Sequence, residues 1–196
     1  MAIIDNKSEI VIKIHKPNIN EYLFFLLSGV VISIPFTIFY ESFADQFCYL
    51  LPVFTAQICS IAIIAPFIEE FAKAYPLFYR HGETQRSIFQ LGFLTGFGFG
   101  LTEFFIYVTV LNASVLIRIP ALFFHAASTS IVAYGIATKK PMLFYLIAVA
   151  LHFFNNFFAI MGDIWYIGGP LTLFLTYFIS YTLYTRTSET VVVNNV

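Results

Sequence analysis

Charge is scarce in this 196-residue chain: Asp, Glu, Lys and Arg make up 11% of it, against about 25% in an ordinary soluble domain. The formal net charge is −1. No basic stripe or nucleic-acid motif is present, so nucleic acid is excluded as a partner. Cysteine is scarce too, with only Cys48 and Cys59. On one continuous helix their spacing separates them by about 16 Å along the axis, too far for a bridge, and they are expected as buried thiols. The sequence lacks H-E-x-x-H, which excludes the common zincin signature. A Walker lysine is missing, and no Ser or Cys nucleophile stands beside a His–acid partner. The segment "MAIIDNKSEIVIKIHKPNIN" is too polar for the apolar region of a signal peptide. The first apolar run, from Tyr22, has no small-residue cleavage site and is expected to remain as a span. The weak alternation "EIVIKI" at 9–14 fits either a short strand or an interfacial segment. Linkers of low complexity and soluble domains are absent.

What is plentiful is apolar surface. Hydrophobic residues reach 59%, with 25 Phe and 12 Tyr, more than a soluble core of this size would bury. The solvent for most of it is expected to be lipid. About 20 apolar residues are needed to cross the hydrocarbon core. The runs that qualify are 22–40, 47–68 (resuming to about 79, with Pro66 as a candidate break), 88–111, 115–137, 141–161 and 164–184. The expected fold is all-α, a polytopic membrane helix bundle of about six transmembrane helices forming a single membrane-embedded domain, 1–196. In it, 1–21 is an N-terminal cytoplasmic segment, 22–184 the bundle and 185–196 a cytoplasmic tail, "SETVVVNNV" being its frayed end. Lys7, Lys13 and Lys16, Arg80 and Arg86, Lys139 and Lys140, and Arg186 all fall on one side of six crossings. The opposite loops, read as 41–46, 112–114 and 162–163, carry no Lys or Arg. By the positive-inside rule both termini are cytoplasmic, in a multi-pass protein of the cell membrane. Trp165, Tyr166, Tyr181 and Tyr184 suit the interfacial belts.

Against this background the polar residues inside the spans stand out. A carboxylate in hydrocarbon costs roughly 2.5–3.5 kcal/mol on insertion scales, yet Glu69 and Glu70 are adjacent in "APFIEEFAK". Lys73 lies at i+4 and i+3 from them and can reach either. Whichever glutamate it does not hold is left to exchange protons. In "LGFLTGFGFGLTEFFIY", Gly92, Gly96 and Gly100 form a small-residue face that permits close helix contact. Glu103 and Tyr107 continue that face. "RIPALFFHAAST" sets Arg118 and His125 two turns apart, with Ser128 and Thr129 one turn further. "LHFFNNFF" sets His152 beside Asn155 and Asn156 at i+3 and i+4. Glu69, Glu70, His125 and His152 can share one depth. A carboxylate base beside imidazoles can activate water toward a peptide carbonyl, and the Asn156 amide or a protonated histidine can serve the oxyanion. Two histidines and a glutamate also make a three-ligand zinc set with an open position, here Glu70, His125 and His152.

Those four motifs, in that order over about residues 60–160, resemble the PrsW family of intramembrane proteases, which is related to the CAAX prenyl endopeptidases and bacteriocin-processing enzymes. The family's E-E-x-x-K stands as Glu69, Glu70 and Lys73. Its E-N-x-x-Y stands as Glu103 and Tyr107, with Phe104 where Asn is usual. Its isolated histidine is His125, and its H-x-x-x-N is His152 and Asn156. The resemblance implies peptide-bond hydrolysis of a membrane-anchored protein within or near the bilayer. Glu69, Glu70, His125, His152 and Asn156 are the expected catalytic set, supported by Lys73, Glu103 and Arg118, with zinc or a metal-free glutamate mechanism. The competing readings are a proton-coupled transporter using the Glu/His relay, CAAX-type processing, and a non-catalytic immunity module on the same scaffold.

Overall fold

The computed structural model describes residues 3–4, 10–11, 15–79 and 84–189. Six long helices dominate it. They are α1 (Ile19–Cys48), α2 (Val53–Phe78), α3 (Gln85–Thr109), α4 (Val115–Ala137), α5 (Pro141–Ile160) and α6 (Trp165–Arg186). Among the described residues, α1 to α5 are long and apolar enough to span a membrane by composition. α6 is long enough, but its apolar run is diluted by Gly168, Gly169, Pro170 and the buried hydroxyls Thr172, Thr176 and Ser180. Two short strands, β1 (Ile3–Ile4) and β2 (Ile10–Val11), pair antiparallel, so part of the 9–14 alternation is a strand. Lys7, Lys13, Arg80 and the tail from 190 onward lie outside the described residues.

Local chemistry accounts for the helix boundaries. Asn18 caps α1 by accepting from the backbone N–H of Asn20 and Glu21, while the Glu21 carboxylate accepts from Asn18 N–H at 2.8 Å, a complete capping box. Thr84 caps α3 through Ser87 N–H. α1 and α2 each contain a π-helical segment, Gly29–Ser33 and Ile58–Ile64, and a proline follows closely in both, Pro35 and Pro66. Proline has no N–H for the carbonyl four residues back and its ring crowds that carbonyl. A widened turn absorbs the mismatch, so α2 passes Pro66 unbroken.

The first loop differs from expectation. Residues 41–46 belong to α1, which continues to Cys48, and the turn is 49–52, closed by Pro52 ahead of α2. This reverses the expectation for the cysteines. Cys48 and Cys59 lie on two helices of a hairpin, not on one, with Cα atoms 5.7 Å apart, and they form a disulfide. The turn folds the chain back, so sequence spacing no longer measures distance.

Each helix returns against its predecessor, which puts turns 49–52, 110–114 and 161–164 at one end of the bundle. The start of α1 and the end of α6 lie at the other. There Arg86 Nη2 donates to Thr187 O at 2.9 Å, and the Tyr22 hydroxyl reaches Gln90 at 3.5 Å. α3 is the central strut. Gly29 and Gly98 bring it against α1, and the Gly92, Gly96 and Gly100 face brings it against α4. A Cβ on Gly96 would stand 2.6 Å from Thr129 Oγ1, and one on Gly100 2.6 Å from Leu122 O. Only glycine permits backbones this close. One turn beyond Gly100, the same face delivers Glu103 to α4.

Candidate active site

α2, α3, α4 and α5 each contribute to one buried polar cluster. On α2 the helical period turns Glu70 and Lys73 fully inward, and Lys73 Nζ donates to Glu70 Oε1 at 2.7 Å. The same oxygen accepts from Ser128 Oγ of α4 at 3.1 Å and meets His152 Nδ1 of α5 at 2.9 Å. Glu70 is thus held by three helices. Glu69, one residue earlier, points elsewhere. Its Oε2 lies 3.7 Å from His152 Nε2, 3.9 Å from His125 Nδ1 and 3.8 Å from Lys73 Nζ. That oxygen is buried and has no hydrogen-bond partner among the described residues.

The outer nitrogen of each imidazole is tied to a carboxylate. His152 uses Nδ1 on Glu70, and His125 uses Nε2 on Glu103 Oε2. Glu103 Oε1 accepts from Arg118 Nη2 at 2.9 Å, and the guanidinium rests 3.7 Å from the Tyr107 ring centroid. Phe99 and Phe124 wall the two histidines, whose rings are 5.3 Å apart. Lys73 Nζ also lies over Phe99, 4.8 Å from its centroid.

A cavity of about 470 Å³ runs from Glu69, His125 and His152 past Glu103 and Arg118 to Asn156 and Trp165. Apart from Glu69, which lies just past the middle of α2, these lining groups sit in the halves of the helices toward turns 49–52, 110–114 and 161–164. Glu103, which helix length alone puts far from the chain's entry face, therefore belongs at this end.

Of the residues expected from sequence, Glu69, Glu70, Lys73, Glu103, Arg118, His125 and His152 converge. Asn156 lines the same cavity without touching the cluster: Nδ2 donates to Ile61 O at 2.9 Å, tying α5 to the π segment of α2, and Oδ1 accepts from Asn155. For a metal, the candidate trio among the described residues is Glu69, His125 and His152, with Glu69 in place of the expected Glu70. The ligand atoms of Glu69, His125 and His152 lie within 4.8 Å of one another, whereas Glu70 Oε1 is bonded to Lys73, Ser128 and His152 and only its Oε2 lacks a partner. Tetrahedral zinc, with ligands at about 2.0–2.2 Å, spaces neighbouring donors by roughly 3.4 Å. The observed Glu69–histidine distances of 3.7 and 3.9 Å, in a trio spanning up to 4.8 Å, would close slightly around such an ion, and His125 Nδ1 would give up its contact with Lys73 Nζ at 3.0 Å. A carboxylate on each ligand's far nitrogen is the usual support of a metal-bound histidine.

Sequence reasoning passed over Glu41 and Asp45, which line the cavity from α1, Asp45 accepting from Ser60. Their signal was an i,i+4 pair in "YESFADQF", hidden because that stretch was read as a loop. Ser128 was seen only as part of a polar face.

A multi-pass helical bundle with a Glu/His centre sunk in its interior, at the floor of a polar cavity, defines an intramembrane hydrolase. The model of the PrsW family intramembrane metalloprotease matches residues 18–184, most of the chain, and the protein belongs to that family. It is accordingly an intramembrane protease acting in a lipid environment on membrane-embedded substrate. Comparison with curated proteins and with solved structures yields no match.

Proposed function

We propose that this protease hydrolyses a peptide bond of a membrane-anchored protein, with Glu69 as the base and His125 and His152 as its partners. The observation that carries the reading is the meeting of Glu69 Oε2 with His125 Nδ1 and His152 Nε2 at the cavity floor. Substrate backbone enters the cavity from the end bearing turns 49–52, 110–114 and 161–164. By the distribution of Lys and Arg this end faces away from the cytoplasm. The Cys48–Cys59 disulfide, which sits at the same end, supports that orientation independently, because disulfides persist outside the reducing cytoplasm.

Bonds from Lys73, Ser128 and His152 occupy Glu70 Oε1; its Oε2 is buried without a partner among the described residues, and we assign this carboxylate the task of holding His152 with Nε2 turned toward Glu69. Glu69 Oε2 has no donor among the described residues and accepts the proton of a water placed between it and the imidazoles. Glu69, His125 and His152 would hold zinc, which when bound acidifies water and polarises the scissile carbonyl. A carboxylate that binds through one oxygen can still take a proton on the other, so Glu69 serves as base with or without the ion. Arg118 Nε, a buried donor without an acceptor among the described residues, lines the cavity and is placed to bind a substrate backbone carbonyl. Asn156 has one of its two amide hydrogens on Ile61 O and keeps the second for the substrate.

The test is cleavage of a membrane-anchored substrate in proteoliposomes. Glu69→Gln, His125→Ala and His152→Ala are each expected to lose activity by 10³-fold or more, on the order of losing an essential base or ligand, with unchanged elution and thermal unfolding. Wild-type rates in Glu69→Gln would overturn the assignment.

A further inference from the structure

We infer that the two histidines are unequal: His152 stands ready for the metal, while Lys73 and the metal compete for His125. This rests on the reading that Glu69, His125 and His152 hold the ion. Lys73 Nζ lies 3.0 Å from His125 Nδ1. An ammonium has only donors, so Nδ1 must be the unprotonated nitrogen, which puts the ring proton on Nε2, the nitrogen in contact with Glu103 Oε2. An unprotonated imidazole nitrogen has one lone pair in the ring plane. That lone pair is the one turned toward Glu69. It can accept the lysine hydrogen bond or bind a cation, not both. His152 has no such rival: its Nδ1 serves Glu70 and its Nε2 faces Glu69.

Arg118 and Glu103 act on the same imidazole from the other side. Arg118, seated on Tyr107, holds one oxygen of Glu103, and the second oxygen lies in close contact with His125 Nε2. Neither Arg118 nor Glu103 belongs to the ligand trio. They are positioning residues that fix the tautomer and aim Nδ1 inward, and outer partners of this kind are worth roughly 10–100-fold in metal affinity. The two groups on His125 therefore pull in opposite directions. Glu103 promotes ligation and Lys73 opposes it.

The experiment measures Zn²⁺ affinity of the full chain in nanodiscs by competition with a chromophoric chelator, with Co²⁺ absorption as a second readout. Glu103→Gln is expected to weaken binding roughly 10–100-fold, and Arg118→Gln to weaken it in the same sense by less. Lys73→Gln or Lys73→Met is expected to tighten it several-fold, an effect of opposite sign that general loosening of the site would not produce. Unchanged affinity in Glu103→Gln, or weaker affinity in a folded Lys73 variant, overturns the inference. Should the Lys73 variants fail to fold, ¹⁵N-histidine NMR of the metal-free wild type decides. The proton of His125 is expected on Nε2, and its appearance on Nδ1 overturns the inference. A wild type that takes up neither Zn²⁺ nor Co²⁺ also overturns it, while cleavage by that same preparation leaves the peptidase reading standing.

Discussion

Gly96→Ala sets two effects of opposite sign against each other in the middle of α3. Helix propensity favours the change, since alanine is about 1 kcal/mol better than glycine in a helix interior. Packing opposes it. The added Cβ would sit 2.6 Å from Thr129 Oγ1, closer still to His125 O, and ordinary contact begins near 3.4 Å. α3 and α4 must therefore part by at least about 0.8 Å, the difference of those two distances. The His125 carbonyl cannot turn aside, because it lies in the helix backbone and accepts from Thr129 Oγ1 at 2.9 Å. Overpacking of this kind costs roughly 1–3 kcal/mol, which equals or exceeds the propensity gain. The functional loss is larger. His125 is the residue displaced, and about 1 Å of misplacement costs on the order of 10²-fold in rate, or about 2.7 kcal/mol of transition-state stabilisation. Thermal unfolding and kcat in nanodiscs are read together. The expected outcome is a slightly lowered midpoint with kcat down about 100-fold. A raised midpoint with wild-type kcat would refute the claim that glycine is needed here to seat His125.

Two further outcomes concern the hairpin end of the bundle. The disulfide closes a loop of sequence separation 11, worth about 2–3 kcal/mol on the chain-entropy scale. Cys48→Ser should lower the unfolding midpoint, and denatured wild type should react with maleimide only after reduction. Thiol capture before reduction would count against the bridge. A single cysteine at Asn112, in a disulfide-free background, should be labelled by a membrane-impermeant reagent from outside intact cells. Labelling only after lysis would reverse the orientation and the side of cleavage.

Much of the bundle was legible because lipid imposes length and polarity rules that act locally. A span needs a run of apolar residues, and Lys and Arg collect on one side of it. The Glu70–Lys73 pair was legible for a related reason: residues three apart on a helix are neighbours whatever surrounds them. The glycine face pointed to the α3–α4 contact through its period alone. Where the backbone departed from one uninterrupted period, the reading failed. α1 was cut short, so Glu41 and Asp45 went unnoticed, and Cys48 and Cys59 were measured along a helix that the turn at 49–52 divides in two.

By itself the sequence determined a polytopic helical protein with carboxylates, imidazoles and a lysine at compatible depths in its spans. Only the tertiary structure decided which of those groups meet. Glu69 and Glu70 are adjacent in the chain, but successive residues on an α-helix point about 100° apart, and nothing local states which direction meets α4 and α5. Packing answers it by putting Ser128 and His152 on Glu70 Oε1. Glu69 then remains as the carboxylate with one oxygen within 3.9 Å of both histidines.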